Sequence, residues 1–283
     1  MSVLVVGNDY LSNRFAYLLK KLSLQPEKAP RFSKSLLKGK EMVFFAGKNC
    51  LAKSIMESMR AGCSVFSEQL LFEEKSDLSL IRYAERNDLR LSIGSFDVFN
   101  PVIEETKKIL SKESVFELFF NRTGPRQFGY VRLNIVDDLV IQDIGIMTHL
   151  LGEDIRVVSA RSDDTYNRCI AHLKCGGTNI LAYANKNTYY KERTLEAFAE
   201  RIRLHANILT QSVLMISSEG ISQSLYGTGY ESYKEHLVKK AEPLELAIRN
   251  FIKGKANYGL IETNMRIALE IKKMIFQPIR PIS

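Results

Sequence analysis

The sequence lacks features that would assign it to several common classes of protein. No apolar run reaches the roughly 18 residues that a membrane-spanning helix needs. The first residues enter an apolar strand without a basic leader or cleavage site, so we expect a cytoplasmic protein without a membrane segment. The four cysteines show no CxxC spacing and no nearby histidine pair. This pattern argues against a metal site or a disulfide framework and favours buried, reduced thiols.

The composition is that of an ordinary globular protein. At 283 residues, with 45% apolar and 25% charged side chains, the chain has room for two domains and a sizeable core. The net charge is +8, but the basic residues are dispersed, and pairs such as Lys20 and Lys21 are typical of solvated helix ends. The charge therefore predicts attraction of an anionic small molecule and no binding of nucleic acid.

The N-terminal segment has the pattern of a dinucleotide-binding βα unit. Ser2 to Val6 is an apolar run of strand length, and Leu11 to Leu22 has helical periodicity. The fingerprint G-x-G-x-x-G belongs between them, because its second glycine lets a diphosphate approach and its third lets helix pack on strand. Gly7 is present, whereas Asp9 and Ser12 replace the other two glycines. Asp9 would add a carboxylate beside the diphosphate, and the helix N-terminus offsets only part of that repulsion.

The segment after this helix is too short for a complete Rossmann half. Leu24 to Lys40 is punctuated by proline and precedes a strong strand at Glu41 to Ala46, so roughly one βα unit is abbreviated. Glu27 is the acidic candidate for the ribose hydroxyls, and a surface turn residue is its alternative role. Arg31 and Lys34 could instead meet a phosphate, which would favour a phosphorylated cofactor. The candidate cofactor-binding residues of the whole unit are Gly7, Asn8, Tyr10, Leu11 and Glu27.

The stretch from Asp138 to Gly152 predicts a helix at a candidate active site. Its apolar residues recur at roughly helical spacing, and Gly152 is a natural C-cap. Asp138 near the helix start and Gln142 four residues later lie one turn apart on the same face, where both could meet one substrate hydroxyl. Asp138, alone or with Asp137, is the candidate base, and a helix N-cap is the alternative role for either carboxylate.

Other candidate groups are less specific. His149 lies two turns beyond Gln142 on roughly the same face, and a lone histidine on an apolar helix is more often packed than catalytic. Three tyrosines near predicted strands could reach a cleft, but the sequence does not place them: Tyr166, Tyr189 and Tyr190.

The motifs resemble, in order and spacing over the whole chain, the glucose-fructose oxidoreductase/inositol dehydrogenase (Gfo/Idh/MocA) family. Asp138 to Gly152 resembles the family's substrate-site helix D-L-x-x-H-D-I-D, with Gln142 in place of the histidine. Cys50 to Leu71 resembles its helix, turn, strand and Glu-Lys-Pro motif, with Glu68 at the glutamate and Gln69 at the lysine. The resemblance implies catalytic positions at Asp138, Gln142 and Gln69 and a cofactor contact at Glu68. Neither amide carries a titrating proton at neutral pH.

The resemblance also covers the substrate side. Asn121 to Arg126 resembles the Arg and Gly-Pro segment of sugar-nucleotide members, and Lys191 with Arg193 falls where the family often has K-x-R. A subset of the family has D-I-G-I-Y on the substrate helix, and here Met147 replaces the tyrosine. The resemblance implies substrate-binding roles for Arg122, Arg126, Asp143 and Lys191.

The fold implied by the resemblance has two parts. Residues 1–96 would form an abbreviated α/β Rossmann-like domain, and residues 97–283 an α+β domain with a large, mostly antiparallel open sheet used for homodimer contact. The helix 257–276 would pack back toward the N-terminal domain. Runs predicting strands of the sheet are Ser114 to Arg122, Arg156 to Arg161, Cys169 to Cys175, Asn179 to Asn185, Ala197 to His205 and Ser212 to Ser217. Glu231 to Lys253 and Asn257 to Phe276 predict amphipathic helices.

Two functions follow from the resemblance. The first is an NAD- or NADP-dependent oxidoreductase acting on a sugar, polyol or sugar nucleotide, with a proton path through Asp138. The second is a non-catalytic member, kept as a binding or structural subunit, in which the cofactor has been lost. The missing glycines, Gln69 and Gln142 favour the second, whereas Asp138 and the segment from Asn121 to Pro125 favour a retained cleft.

Overall fold

The structure, a computed structural model, describes residues 1–47, 51–68, 78–125, 134–217, 232–254 and 258–276. They form a parallel sheet with helices, followed by a large mixed sheet covered on one face. This architecture confirms the predicted fold class.

The N-terminal sheet has five parallel strands in the order β2-β1-β3-β4-β5. The strands are β1 (Val3–Val6), β2 (Pro26–Ala29), β3 (Met42–Phe45), β4 (Ser64–Ser67) and β5 (Leu91–Ile93), and the helices between them are α1 (Tyr10–Lys21), α2 (Ala52–Arg60) and α3 (Ser79–Arg86). β1, β3 and β4 are buried along their whole length, as expected for a parallel sheet covered on both faces.

The abbreviation predicted for this domain lies between β2 and β3. A 3-10 turn, Lys34–Leu37, is the regular structure that connects the two strands. Both strands pair with β1, on opposite sides. The strand order therefore reverses between β1 and β3, which is the position where open α/β sheets bind ligands.

The second sheet has eight strands in the order β13-β12-β11-β10-β6-β9-β8-β7. All neighbours pair antiparallel except β6 and β9. Its strands are β6 (Val115–Pro125), β7 (Ile155–Ser162), β8 (Arg168–Cys175), β9 (Thr178–Asn185), β10 (Asn187–Ala199), β11 (Ile202–Asn207), β12 (Ser212–Ser217) and β13 (Ser232–His236). One face of this sheet packs against the helices α4 (Pro101–Leu110) and α5 (Ile141–Leu151) and part of α7 (Tyr258–Phe276).

One predicted helix is wrong in its first half. Glu231 to Lys253 was expected to be helical throughout, but Ser232–His236 forms the edge strand β13, paired with β12. The helix α6 (Pro243–Ile252) begins only at Pro243. Proline fixes φ at a helical value and lacks the N–H that a first-turn residue leaves unpaired, so it starts the helix at this point.

The two C-terminal helices join the domains. α6 contributes Ile248 and Phe251 to the aromatic core of the N-terminal sheet, where Phe251 meets Phe66 with ring centroids 5.3 Å apart. α7 contributes Met265 to a second core on that sheet and Ile271 to the core of the large sheet. Apolar burial on both sides of α7 fixes the sheets relative to each other, so a cleft between them has defined walls.

Candidate active site

A cleft of about 250 Å³ lies where the carboxyl ends of β4 and β5 face the second domain. Glu68, directly after β4, and Phe96, after β5, line its sheet side. The opposite wall consists of the carboxyl end of β6, from Arg122 to Pro125, and the β9-β10 hairpin. This is the edge at which open parallel sheets bind ligands.

The structure brings Asp138 and Gln142 into this cleft together. A π-helical turn, Val136–Val140, precedes α5 and carries Asp138. The carboxylate Oδ2 of Asp138 lies 2.7 Å from Nζ of Lys186, which lines the same cleft. The predicted proximity of Asp138 and Gln142 thus holds, and it comes with a lysine that the sequence motifs did not single out.

The N-cap role considered for Asp137 or Asp138 is wrong. Asn134 fills it, because its Oδ1 accepts hydrogen bonds from the backbone N–H groups of Val136 and Asp137 at 2.9 and 3.0 Å. Asp137 turns away from the cleft to Lys272, with Oδ1 and Nζ 2.5 Å apart. The two adjacent carboxylates therefore serve different lysines instead of forming one acidic pair.

A buried charge cluster supports the floor of the cleft. Arg122 is 1% exposed, and its Nη2 and Nη1 lie 2.7 Å from Asp143 Oδ1 and 2.9 Å from Asp97 Oδ2. Arg193 approaches the same Asp97 oxygen at 3.5 Å. Arg122 and Asp143 were both predicted to bind substrate, and the structure shows them bonded to each other. Asp97 was missed because no motif or periodicity marks it.

The charges in this cluster stabilise one another. Burial disfavours the ionised form of Asp97, but Arg122 and Arg193 outweigh it and lower the pKa of that carboxyl. Burial raises the pKa of Asp143, and Arg122 offsets only part of that rise. Burial also acts against the charge of Arg122, but the two carboxylates overcome it and raise its pKa. A buried cluster of this kind is costly to maintain, and such clusters concentrate at functional sites.

The dinucleotide turn after β1 keeps part of its expected geometry. Gly7 has φ +144°, and a Cβ there would lie 3.1 Å from the carbonyl oxygen of Ala46. Only glycine fits that position readily. Tyr10 starts α1 and is exposed, while Ser12, at the third glycine position, is buried and donates its hydroxyl to the backbone oxygen of Asp9 at 2.8 Å. The loss of the third glycine is thus accommodated locally.

Asp9 lies at the N-terminus of α1, the position where dinucleotide-binding βα units hold the diphosphate. Its Oδ1 accepts the backbone N–H of Ser12 at 2.8 Å, so the carboxylate caps α1. Its Oδ2 lies against Gly47, the residue at φ +89° after β3, where a Cβ would come within 2.8 Å of that oxygen. The crevice between β1 and β3 therefore contains a fixed negative charge at the helix N-terminus, a place that otherwise attracts anions.

Glu27 is not brought to this crevice. It lies in the middle of β2, opposite Leu4 of β1, and its carboxylate Oε2 is 2.5 Å from Nζ of Lys40 near the amino end of β3. Lys34 pairs with Glu57 at 3.1 Å. Arg31, two residues after the carboxyl end of β2, is exposed. Two other candidates, Gln69 and Arg126, lie outside the described residues.

The remaining candidates divide between the rim of the cleft and other surfaces. Lys191 and Arg193 line the cleft. His149 does not line the cleft, and its Nε2 lies 2.8 Å from Glu104 Oε1. Tyr166 packs on Phe276 with ring centroids 4.7 Å apart, and Tyr189 and Tyr190 are exposed outside the cleft. In the described part of the chain, no helix is long and apolar enough to cross a membrane.

Comparisons with known proteins show the fold. No family model and no curated protein matches the sequence. A UDP-N-acetylglucosamine 3-dehydrogenase (GnnA) from Acidithiobacillus ferrooxidans is similar over 97% of both chains, with a TM-score of 0.84 and 16% identity. A 3-ketoreductase from Actinomadura kijaniata, solved with TDP-benzene and NADP, is similar over 97% of this chain and 98% of its own, with a TM-score of 0.76 and 15% identity.

A third solved structure is a dehydrogenase (MviM) from Clostridium difficile, with a TM-score of 0.75 and 14% identity over 97% of this chain and 99% of its own. At these identities the likeness establishes a shared fold over nearly the whole chain. The fold is the two-domain arrangement that the resemblance to the Gfo/Idh/MocA family implied.

Proposed function

We propose that this protein is an oxidoreductase that acts on a hydroxyl or keto group of a sugar, polyol or sugar nucleotide, with NAD or NADP as the hydride carrier. The observation that carries the proposal is the position of Asp138. Its side chain lies in a cleft at the carboxyl edge of the parallel sheet, and Lys191 and Arg193 line the same cleft.

The residues of the turn after β1 fit a dinucleotide, except that Asp9 places a negative charge beside its diphosphate. Gly7, Asn8, Tyr10 and Leu11 form the turn and the first residues of α1, and Gly7 retains the positive φ and tight packing of the turn. Asp9 opposes the diphosphate, so we expect weaker binding than a complete glycine fingerprint gives. A bound nicotinamide would supply the hydride acceptor or donor.

The residues of the cleft have distinct roles in this proposal. Asp138 accepts the proton of the substrate hydroxyl, and Gln142, one turn along, orients the substrate through its amide. Lys191 and Arg193 provide positive charge on the opposite wall, which suits a phosphate-bearing substrate. Arg122 and Asp143 hold the wall in place from beneath, since each neutralises the other.

Titration calorimetry with oxidised and reduced NAD and NADP, each up to about millimolar concentration, tests the proposal directly. Binding in the micromolar range supports a nicotinamide enzyme and justifies a turnover screen with UDP- and TDP-linked sugars. If none of the four dinucleotides binds, the proposed oxidoreductase function is rejected.

A non-catalytic binding or structural subunit is the second candidate. Two observations favour it: Asp9 already caps the helix N-terminus that a diphosphate would use, and Gln142 cannot transfer a proton. This candidate predicts that a sugar nucleotide binds equally well with and without a dinucleotide. An oxidoreductase predicts instead that the two ligands bind interdependently, which the same calorimetry measures.

We also infer that the open face of the large sheet contacts a second copy of the chain. Ile170 on β8 is 52% exposed between the buried residues Cys169 and Ala171, so an apolar side chain points outward from the sheet. Val158 is also exposed, on the edge strand β7 that pairs with β8, and so is Tyr233, on β13 at the opposite edge of the sheet. Exposed apolar surface of this kind marks an interface when it is contiguous. Sedimentation equilibrium, which measures the mass in solution, tests the homodimer.

A further inference from the structure

The cleft contains few groups that can assist proton transfer at neutral pH. The ionisable side chains among the described residues that line it are Glu68, Asp97, Arg122, Asp138, Lys186, Lys191 and Arg193. The arginines stay charged, and Asp97 is held as a carboxylate by Arg122 and Arg193. Gln142 stands where the resemblance places a histidine. A group that assists Asp138 at the substrate oxygen must therefore come from the remaining side chains.

Lys186 is held in the cleft more firmly than Lys191. It connects β9 to β10, and its backbone N–H donates to the carbonyl oxygen of Asn167 at 2.8 Å. Its side chain is 9% exposed, with Nζ 2.7 Å from Asp138 Oδ2 and 3.5 Å from the carbonyl oxygen of Asn134. Lys191, in contrast, is exposed. A fixed ammonium beside a fixed carboxylate, both facing one cleft, can meet the same substrate oxygen.

An adjacent ion pair provides an internal comparison. Asp137 and Lys272 lie 2.5 Å apart, with side chains 9% and 12% exposed, so this pair is as buried as the pair of Asp138 and Lys186. Neither Asp137 nor Lys272 lines the cleft. Both pairs join a lysine to a carboxylate at the start of the same helix, and both are largely buried. They differ because only Asp138 and Lys186 line the cleft, where a ligand can reach them.

We propose that Lys186 is a catalytic residue of the oxidoreductase reaction and supplies the positive charge that the substrate oxygen needs; this inference rests on the proposed function. In the oxidation direction, the O–H bond breaks and its proton passes to the carboxylate of Asp138. The hydrogen on the same carbon would pass with both of its bonding electrons to a bound oxidised nicotinamide, so that the C–O bond becomes a carbonyl. Lys186 stays protonated and stabilises the negative charge that develops on the oxygen.

The test compares Lys186→Met with Lys272→Met. Both variants remove a buried lysine beside a carboxylate, so we expect a comparable fall in Tm. With UDP- and TDP-linked sugars as substrates, we expect kcat to fall by about 10²-fold or more in K186M and to stay near wild type in K272M. The acidic limb of the pH profile should move to higher pH in K186M alone, because the ammonium that favours the ionised form of Asp138 is lost.

A readout without turnover complements the kinetics. Nitrogen-15 NMR of the lysine ammonium groups, assigned with the two variants, should show that the Lys186 signal shifts when UDP-N-acetylglucosamine is added and that the Lys272 signal does not. Equal kcat values for K186M and K272M would overturn the inference. A Lys186 signal that stays unchanged while calorimetry shows bound sugar nucleotide would also overturn it.

Failure of the proposed function would look different. A wild-type protein that binds no dinucleotide, or that binds both ligands and turns over none of the sugars, removes the reaction and the catalytic role of Lys186 with it. That result is visible before any variant is compared. Wild-type turnover together with an active K186M would leave the oxidoreductase in place and reject only the role of Lys186.

Discussion

The turn after β1 and the cleft differ in how their charges are arranged. At the turn, the Asp9 carboxylate lies at the N-terminus of α1, a position that attracts anions, and it accepts the backbone N–H of Ser12. In the cleft, Arg122 is held between Asp97 and Asp143, and Lys186 lies beside Asp138. The cleft therefore contains buried charges that are costly to maintain, whereas the turn contains a carboxylate that caps its own helix.

The largest effect is expected from Arg122→Met. Its loss leaves the carboxylates of Asp97 and Asp143 buried without their main counter-charge, which costs about 3–5 kcal/mol in the free energy of unfolding. Arg203→Met is the control, because Arg203 forms a surface ion pair with Glu196 and such pairs contribute about 0–1 kcal/mol. Urea unfolding of both variants measures the difference. Similar losses would show that the charge cluster at the cleft contributes no more to stability than a surface ion pair.

An intermediate effect is expected from Asp9→Asn. Asparagine keeps the cap on α1 but removes the charge, so we expect dinucleotide affinity to rise roughly tenfold, or about 1.4 kcal/mol. The gain should shrink with added salt, because screening weakens the repulsion that is removed. Asp164→Asn, at an exposed site, makes the same charge change as a control. Unchanged affinity in calorimetry would mean that Asp9 does not limit cofactor binding.

The smallest effect concerns His149 on α5, the helix that carries Gln142. Burial, with the charge of Lys107, lowers the pKa of His149 below its ordinary value of 6.5, and Glu104 offsets this only in part. Between the lowered pKa and 6.5, the unfolded chain therefore binds more protons at this histidine than the folded chain does. The free energy of unfolding consequently falls as pH drops through and below 6.5. His149→Gln should flatten that decline, as measured by urea unfolding at about pH 7.5 and about pH 5. An equal decline in both proteins would contradict the assignment to His149.

The fold was largely predictable because its signals are local. Apolar runs of strand length and helical periodicity predicted β1, β3 and most strands of the large sheet, and the short segment after α1 predicted the abbreviation between β2 and β3. The prediction was wrong at Ala197 to His205, which is divided between the antiparallel strands β10 and β11. It was also wrong at Ser232–His236, where pairing with β12 outweighed a weak helical pattern. β structure depends on a partner strand that the local sequence does not contain.

The candidate site was only half predictable. Asp138 and Gln142 share a helix face, so their spacing in the sequence was enough to bring them together. Lys186 and Asp97 come from other elements and carry no motif, and their roles depend on which carboxylate or guanidinium lies opposite. Glu27 was a candidate only as the acidic residue of its segment, and the tertiary structure places it in the middle of β2, paired with Lys40.

The sequence alone determined the class of fold, the single retained glycine of the turn, and the presence of amides where the resemblance implies titrating groups. These properties are fixed by residue identity and by periodicity along the chain. Only the tertiary structure decided that Asp9 caps its own helix, that Asp137 and Asp138 serve different lysines, and that Lys186 enters the cleft. Electrostatic partnership depends on distance and burial in three dimensions, and neither is encoded in the spacing of residues along the chain.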